Sequence, residues 1–129
     1  MIAEVIVDIA HSEVDKIFEY RSIEGVFAGS RVKVPFARGV VDGYVMRLKE
    51  KSDYAADKLK SILATVDEIP ALTKESLELT FLLSERYRCP KALVLRLFLP
   101  AEMRRGGVRE LYKKIVIFNE NVRSDLSSR

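Results

Sequence analysis

The sequence predicts an α+β fold: a small antiparallel, barrel-like sheet of about five strands, then two helices, then an extended C-terminal strand or linker. Three observations carry that prediction. Up to residue 70 the apolar residues fall in short β-branched runs separated by glycines or polar loops. Past Pro70 the spacing becomes helical, with Thr73 placed to cap. The 129 residues, 48% of them hydrophobic and with no low-complexity run, suffice for one core.

Residues 2–9, IAEVIVDI, set Ala3, Val5, Val7 and Ile9 against Glu4 and Asp8, the alternation of a half-buried strand. After the polar HSEVD, strand chemistry resumes over residues 16–21 around IFEY, and EGVFAG supplies turn glycines at Gly25 and Gly29. RVKVPF alternates Arg31 and Lys33 with Val32 and Val34, and Pro35 suits an edge, a bulge or a strand end. Gly39 and Gly43 flank the next strand, VVDGYVMRL; a glycine within such a pattern marks a bulge or a close backbone approach. KEKSDYAAD is a loop, and KLKSILATVD reads as a fifth strand or a short helix.

Thr73 then caps a helix through KESLELTFLLSERYR, with acids in its early turns and Arg86 and Arg88 at its end, as the macrodipole favours. Leu79, Leu82, Leu83 and Tyr87 are spaced for one buried face. Pro90 fits the first turn of a second helix, KALVLRLF, which must stop near Pro100. MRRGG reads as a linker and LYKKIVIF as a new strand with no evident partner in this chain. The expected division is a compact module over residues 1–105 and a connecting segment over residues 106–129.

Composition narrows the chemistry. Cys89 is the one cysteine, which excludes a disulfide framework and a thiolate zinc site within the chain and points to a reducing compartment. There is no signal-peptide pattern and no apolar run long enough to span a bilayer, so a cytoplasmic, membrane-free protein is expected. Net charge is +3, but residues 1–102 hold 15 basic against 16 acidic side chains, so a grip on nucleic acid must be local and shaped. The basic stretch from Arg31 to Lys51 is the local exception. No phosphate-cradling GxxxxGK(S/T) loop, metal-ligand spacing or nucleophile elbow occurs, and His11 and Cys89 stand alone; the chain is not expected to be an enzyme.

What remains is FEY, residues 18–20. Phe18 and Tyr20 project to one side of a strand and Glu19 to the other. Spacing alone leaves two readings open: two core aromatics with a solvated acid, or an aromatic-lined site with a placed carboxylate. Arg31 and Lys33 are equally open, as an exposed strand face or as contacts to DNA.

An ordered set of motifs adds to this. D-x-x-F-(D/E)-Y occurs as Asp15, Phe18, Glu19 and Tyr20, and G-x-R-V-x-V-P-F as Gly29, Arg31, Val32, Val34, Pro35 and Phe36. Gly43, Leu59-Lys60, Tyr87, Pro90 and Leu99-Pro100 follow in order. Over about residues 2–105 the chain resembles the N-terminus of the primosomal protein N′ family, the replication-restart helicases known as PriA.

The resemblance implies a non-catalytic module that binds the 3′ end of a nascent leading strand at an abandoned fork, within an ATP-dependent 3′-to-5′ helicase. ATP and zinc are then expected only in downstream domains, none in this chain, and residues 106–129 would start the connection to a winged-helix region. The resemblance also places a pocket at Phe18, Glu19 and Tyr20, completed by Ala37 and Lys60. Arg31, Lys33, Arg38 and Lys58 are candidate contacts to the DNA backbone, and Lys58 competes with Lys60 for the phosphate. Implied partners are forked or single-stranded DNA with a free 3′-OH, the remaining helicase domains, other primosome proteins and single-stranded DNA-binding protein, in a nucleoid-associated cytoplasmic setting.

Three positions depart from the family pattern: Glu19 for aspartate, and Ala37 and Ala92 for glycine. Two other functions stay open: a general single-strand binder using the Arg31–Lys51 surface without regard to ends, and a protein-docking module in which the apolar helices or the unpartnered C-terminal strand meet the rest of the helicase or another primosome component.

Overall fold

The computed structural model describes residues 1–99 together with 103 and 104. Its strands are β1 (Ile2–Val7), β2 (Phe18–Arg21), β3 (Arg31–Phe36), β4 (Gly39–Lys49) and β5 (Ala64–Thr65), followed by helices α1 (Lys74–Tyr87) and α2 (Lys91–Leu97). The five strands form one antiparallel sheet in the order β2-β1-β4-β3-β5. The predicted α+β succession is thus observed, and the expected strand and linker over residues 106–129 lie outside the described residues.

The sheet is open, so barrel-like describes it only loosely. The residues preceding β5 reach across from β2 to β3. The Arg21 N–H donates to the Lys60 carbonyl at 2.8 Å and the Ile62 N–H to the Arg21 carbonyl at 3.0 Å, while Leu63 donates to Lys33 on β3 at 2.9 Å. One short segment therefore touches both β2 and β3. KLKSILATVD is neither a full strand nor an α-helix: Ala56–Lys58 is a 3-10 turn, and only Ala64–Thr65 pairs as a strand.

β1 corrects the half-buried expectation, since all six of its residues are buried. Ala3, Val5 and Val7 join Val32, Val34, Val45, Tyr20 and Ile62 in one core cluster. Ile6 on the other face packs with Tyr44, Met46, Leu72, Leu77, Leu95 and Leu99 beneath the helices. Each buried valine, leucine, isoleucine or methionine among them contributes about 1.5–3 kcal/mol on leaving water. Glu4 is tolerated because Arg47 and Lys49 neutralise it, with Arg47 Nε donating at 2.8 Å. A bulge at Met46 shifts the β1–β4 register: Glu4 opposes Arg47 while Val5 opposes Val45.

Two glycines are required by close approach. A Cβ on Gly29, which has φ +92°, would lie 2.1 Å from the Leu72 carbonyl oxygen, and one on Gly43 would lie 2.5 Å from Val5 Cγ1.

Thr73 caps α1 as expected, its Oγ1 accepting from the Ser76 N–H at 3.2 Å. The buried face of α1 is nevertheless not the leucine face. Ser76, Leu77, Thr80 and Ser84 face inward, while Leu79, Leu82 and Tyr87 are exposed. The inward hydroxyls are satisfied locally, Thr80 Oγ1 donating to the Ser76 carbonyl at 2.7 Å and Ser84 Oγ to the Cys89 carbonyl at 2.6 Å, so polarity did not bar them from the interior. α2 is pinned to the sheet. Asp15 accepts from the Lys91 N–H at 2.9 Å, and Arg96 Nε donates to Asp8 at 2.7 Å. The first aspartate of the D-x-x-F motif is thus an architectural cap.

Candidate nucleic-acid interface

Three segments converge beside β2. The strand itself supplies Phe18, Glu19 and Tyr20; the end of β3 and the tight turn after it supply Pro35, Phe36 and Ala37; and the segment tied back to Arg21 supplies Lys58, Leu59 and Lys60. With Tyr54 they line a cleft of about 360 Å³, within the range of small-ligand sites.

Its walls differ in character. Phe18 meets Phe36 edge to face, ring centres 5.1 Å apart, and Lys16 Nζ lies 5.7 Å above the Phe18 ring. Both residues are half-buried and line the cleft. Tyr20 is mostly core; its hydroxyl donates to the Pro35 carbonyl at 2.9 Å, joining β2 to the turn, and burial raises its pKa. Ala37 has φ +53°, in the left-handed region that glycine occupies at little cost. Register pairs Phe36 with Gly39, leaving Ala37 and Arg38 as a two-residue turn.

Glu19 is not the solvated acid of the simpler reading. Its side chain is 5% exposed and forms a close ion pair with Lys49, while its second oxygen accepts from Ser52 Oγ and from the Asp53 N–H. Burial pushes its pKa up, but the hydrogen bonds from Lys49, Ser52 and Asp53 outweigh it and the net shift is downward. Lys49 is correspondingly raised by Glu19. Lys49 also reaches Glu4 at 3.3 Å and Asp53 at 3.1 Å, so one ammonium ties three carboxylates together.

The candidate cations separate. Lys58 and Lys60 both line the cleft and are exposed, and neither is ion-paired among the described residues. They do not share a strand face, since Lys58 closes the 3-10 turn and Lys60 lies in the extended stretch after it. Arg38 is exposed on the turn but does not line the cleft. Lys33 is exposed and ion-paired with Asp42. Arg31 requires a correction: it is 1% exposed, bonded to Asp67 Oδ1 at 2.8 Å and to the Met103 carbonyl at 2.7 Å. Its strand face is covered there by the chain at Asp67 and Met103, so it is a buried structural cation and not a surface contact to DNA.

Sequence reasoning missed Tyr54, Leu59, Lys49 and Ser52. Tyr54 did leave a signal, an aromatic stranded in the polar loop KEKSDYAAD. Lys49 and Ser52 left none, because only folding brings them to Glu19. No helix among the described residues is long and apolar enough to cross a membrane.

Comparison with known proteins identifies the family. Residues 4–100 match the family model of the PriA 3′ DNA-binding domain (3′BD). The replication restart protein PriA of Bacillus subtilis (strain 168) is 34% identical over 113 residues, covering 84% of this chain, and its counterpart in Chlamydia muridarum (strain MoPn / Nigg) is 36% identical over 107 residues, covering 76%. The match spans 14% of the length of each of these relatives. The chain belongs to the 3′ DNA-binding domain family of the PriA replication restart proteins.

Proposed function

We propose that the cleft at β2 seats the 3′-terminal nucleotide of a DNA strand and distinguishes a free 3′-OH from a continuing chain. The observation that carries this reading is the convergence of Phe18, Glu19, Ala37, Lys58 and Lys60, from three separate segments, around one cavity of nucleotide-accommodating size in a chain of this family. A terminal base packs on the Phe18–Phe36 wall whatever its identity, worth about 1–3 kcal/mol. Lys60, with Lys58 beside it, neutralises the adjacent phosphate as a point charge.

The carboxylate supplies the discrimination. Glu19 has about four acceptor positions, and the contacts to Lys49, Ser52 and Asp53 use three of them. One remains to accept a hydrogen bond from the terminal hydroxyl, while a 3′-phosphate there would meet a carboxylate held ionised. The domain does no chemistry of its own in this reading. It directs a longer restart helicase, whose ATP and zinc sites lie in other parts of that protein, to forks with an exposed leading-strand end.

The test is a titration at fixed moderate salt with single strands ending in 3′-OH or 3′-phosphate. Tighter binding of the hydroxyl end is expected, and Glu19→Ala should narrow the gap. Equal affinities overturn the end-sensing reading in favour of general single-strand binding.

The outward apolar face of α1, with Leu79, Leu82 and Tyr87 exposed, favours a second role. In a protein as long as the curated relatives, we infer that this face packs against the remaining helicase domains. Serine at Leu79 and Leu82 in the longer protein should raise protease cleavage between domains; unchanged cleavage counts against the contact.

A further inference from the structure

A second cleft, of about 570 Å³, adjoins the first, and Tyr54 and Leu59 line both. Arg21, Lys51 and Ser52 also line it, with Glu50 as the one acid. It therefore carries an excess of positive charge. Arg21 is exposed and donates to the Ala56 carbonyl, which fixes its guanidinium against the 3-10 turn. Lys51 is exposed and makes no ion pair among the described residues. Tyr54 is 60% exposed on the ridge between the clefts, with no core role to account for its ring.

The ridge is braced by the first cleft's own carboxylate. Ser52 Oγ donates to Glu19 and accepts from the Tyr54 N–H at 2.9 Å. Whatever fixes Glu19 thereby fixes the backbone that presents Tyr54.

We propose that the second cleft is the subsite for the penultimate nucleotide, whose base stacks on Tyr54 and whose flanking phosphate meets Lys51 and Arg21. This rests on the reading of the first cleft as the seat of the 3′-terminal nucleotide. The strand then leaves the terminal pocket over Tyr54 and Leu59 toward β2's outer end at Arg21. Stacking on an exposed ring tolerates any base, so the subsite adds affinity and direction without sequence preference.

The experiment uses four single strands of equal length: intact with 3′-OH, intact with 3′-phosphate, and each of these abasic at the penultimate position. For the unaltered protein, the abasic change should weaken 3′-OH binding about tenfold. Tyr54→Ala should weaken the intact strand by a similar factor, show no further loss on the abasic strand and keep the 3′-OH preference. Tyr54→Phe should behave like the unaltered protein, and Lys51→Ala should lower the salt dependence by about one unit. An abasic strand that binds as well as the intact one, with the 3′-OH preference present, overturns the second subsite and leaves the terminal pocket standing. Loss of the 3′-OH preference in Tyr54→Ala would show that the ring merely holds the Glu19 loop, also overturning the stacking role. Absence of any 3′-OH preference in the unaltered protein overturns the terminal pocket instead.

Discussion

Arg31 and Lys60 look alike in the sequence, each a cation in a stretch that reads as a strand, yet the fold gives them opposite circumstances. Arg31 lies on the face of β3 that the chain at Asp67 and Met103 covers, and it is 1% exposed. Lys60 sits on an exposed stretch that a backbone bridge holds over the aromatics of β2. A buried guanidinium with a fixed carboxylate partner stabilises one arrangement of the chain, whereas an exposed ammonium at a cleft remains available to a ligand. Charge type carries no information about which of these a residue will do; the covering of the strand face decides it.

The largest effect that could break this contrast is on stability. Arg31→Ala removes one side of a buried ion pair and should cost about 3–5 kcal/mol, read from urea unfolding. The folded fraction should bind DNA with unchanged affinity. A specific loss of affinity without loss of stability would reverse the assignment.

Lys60→Ala should do the opposite. Unfolding free energy should stay within about 0.5 kcal/mol, while affinity for both 3′-OH and 3′-phosphate strands falls and the salt dependence drops by about one unit. If Lys58→Ala gives the larger drop, the phosphate belongs to the 3-10 turn.

Ala37→Gly relieves a positive φ on the cleft rim and should raise stability by up to about 1 kcal/mol, the strain released being partly offset by the freer unfolded chain. A decrease would mean that the turn is unstrained.

The smallest effect sharpens the comparison through pH. Glu19 and Glu4 both have folded pKa values below the ordinary carboxylate value. Their contribution to stability is present above the unfolded pKa of about 4.3 and is lost as pH falls through the folded values, because the unfolded state then binds more protons. Glu19→Gln should flatten the acid limb of a stability–pH curve while leaving the neutral plateau lower; an unchanged limb would remove Glu19 from the network.

Much of the fold could be read along the chain. The β3–β4 hairpin, the Thr73 cap and the strands-then-helices order follow from local alternation, turn residues and capping chemistry. Phe18, Glu19 and Tyr20 stand out along the chain, but Ala37 and Lys60 join them only through a family pattern that links segments periodicity treats separately. What stayed hidden was which surface each face meets. The helix α1 has two faces with helical spacing, and the more apolar one is outward because the hydroxyls of Thr80 and Ser84 find carbonyl partners nearby. Glu19 looked free because its partners, Lys49 at the end of β4 and Ser52 in the loop after it, are distant in the chain.

The caps of α2 bear on how the domain forms. A seven-residue helix is marginal by itself, and Asp15 and Asp8, the side chains that secure its two ends, lie 76 and 88 positions upstream of their partners. α2 therefore becomes stable only once the first strand and its following loop are in place. Folding should be cooperative and governed by this distant closure, so that a chain shortened to end before Pro90 would lose not just a helix but the clamp that registers the beginning of the domain against its end.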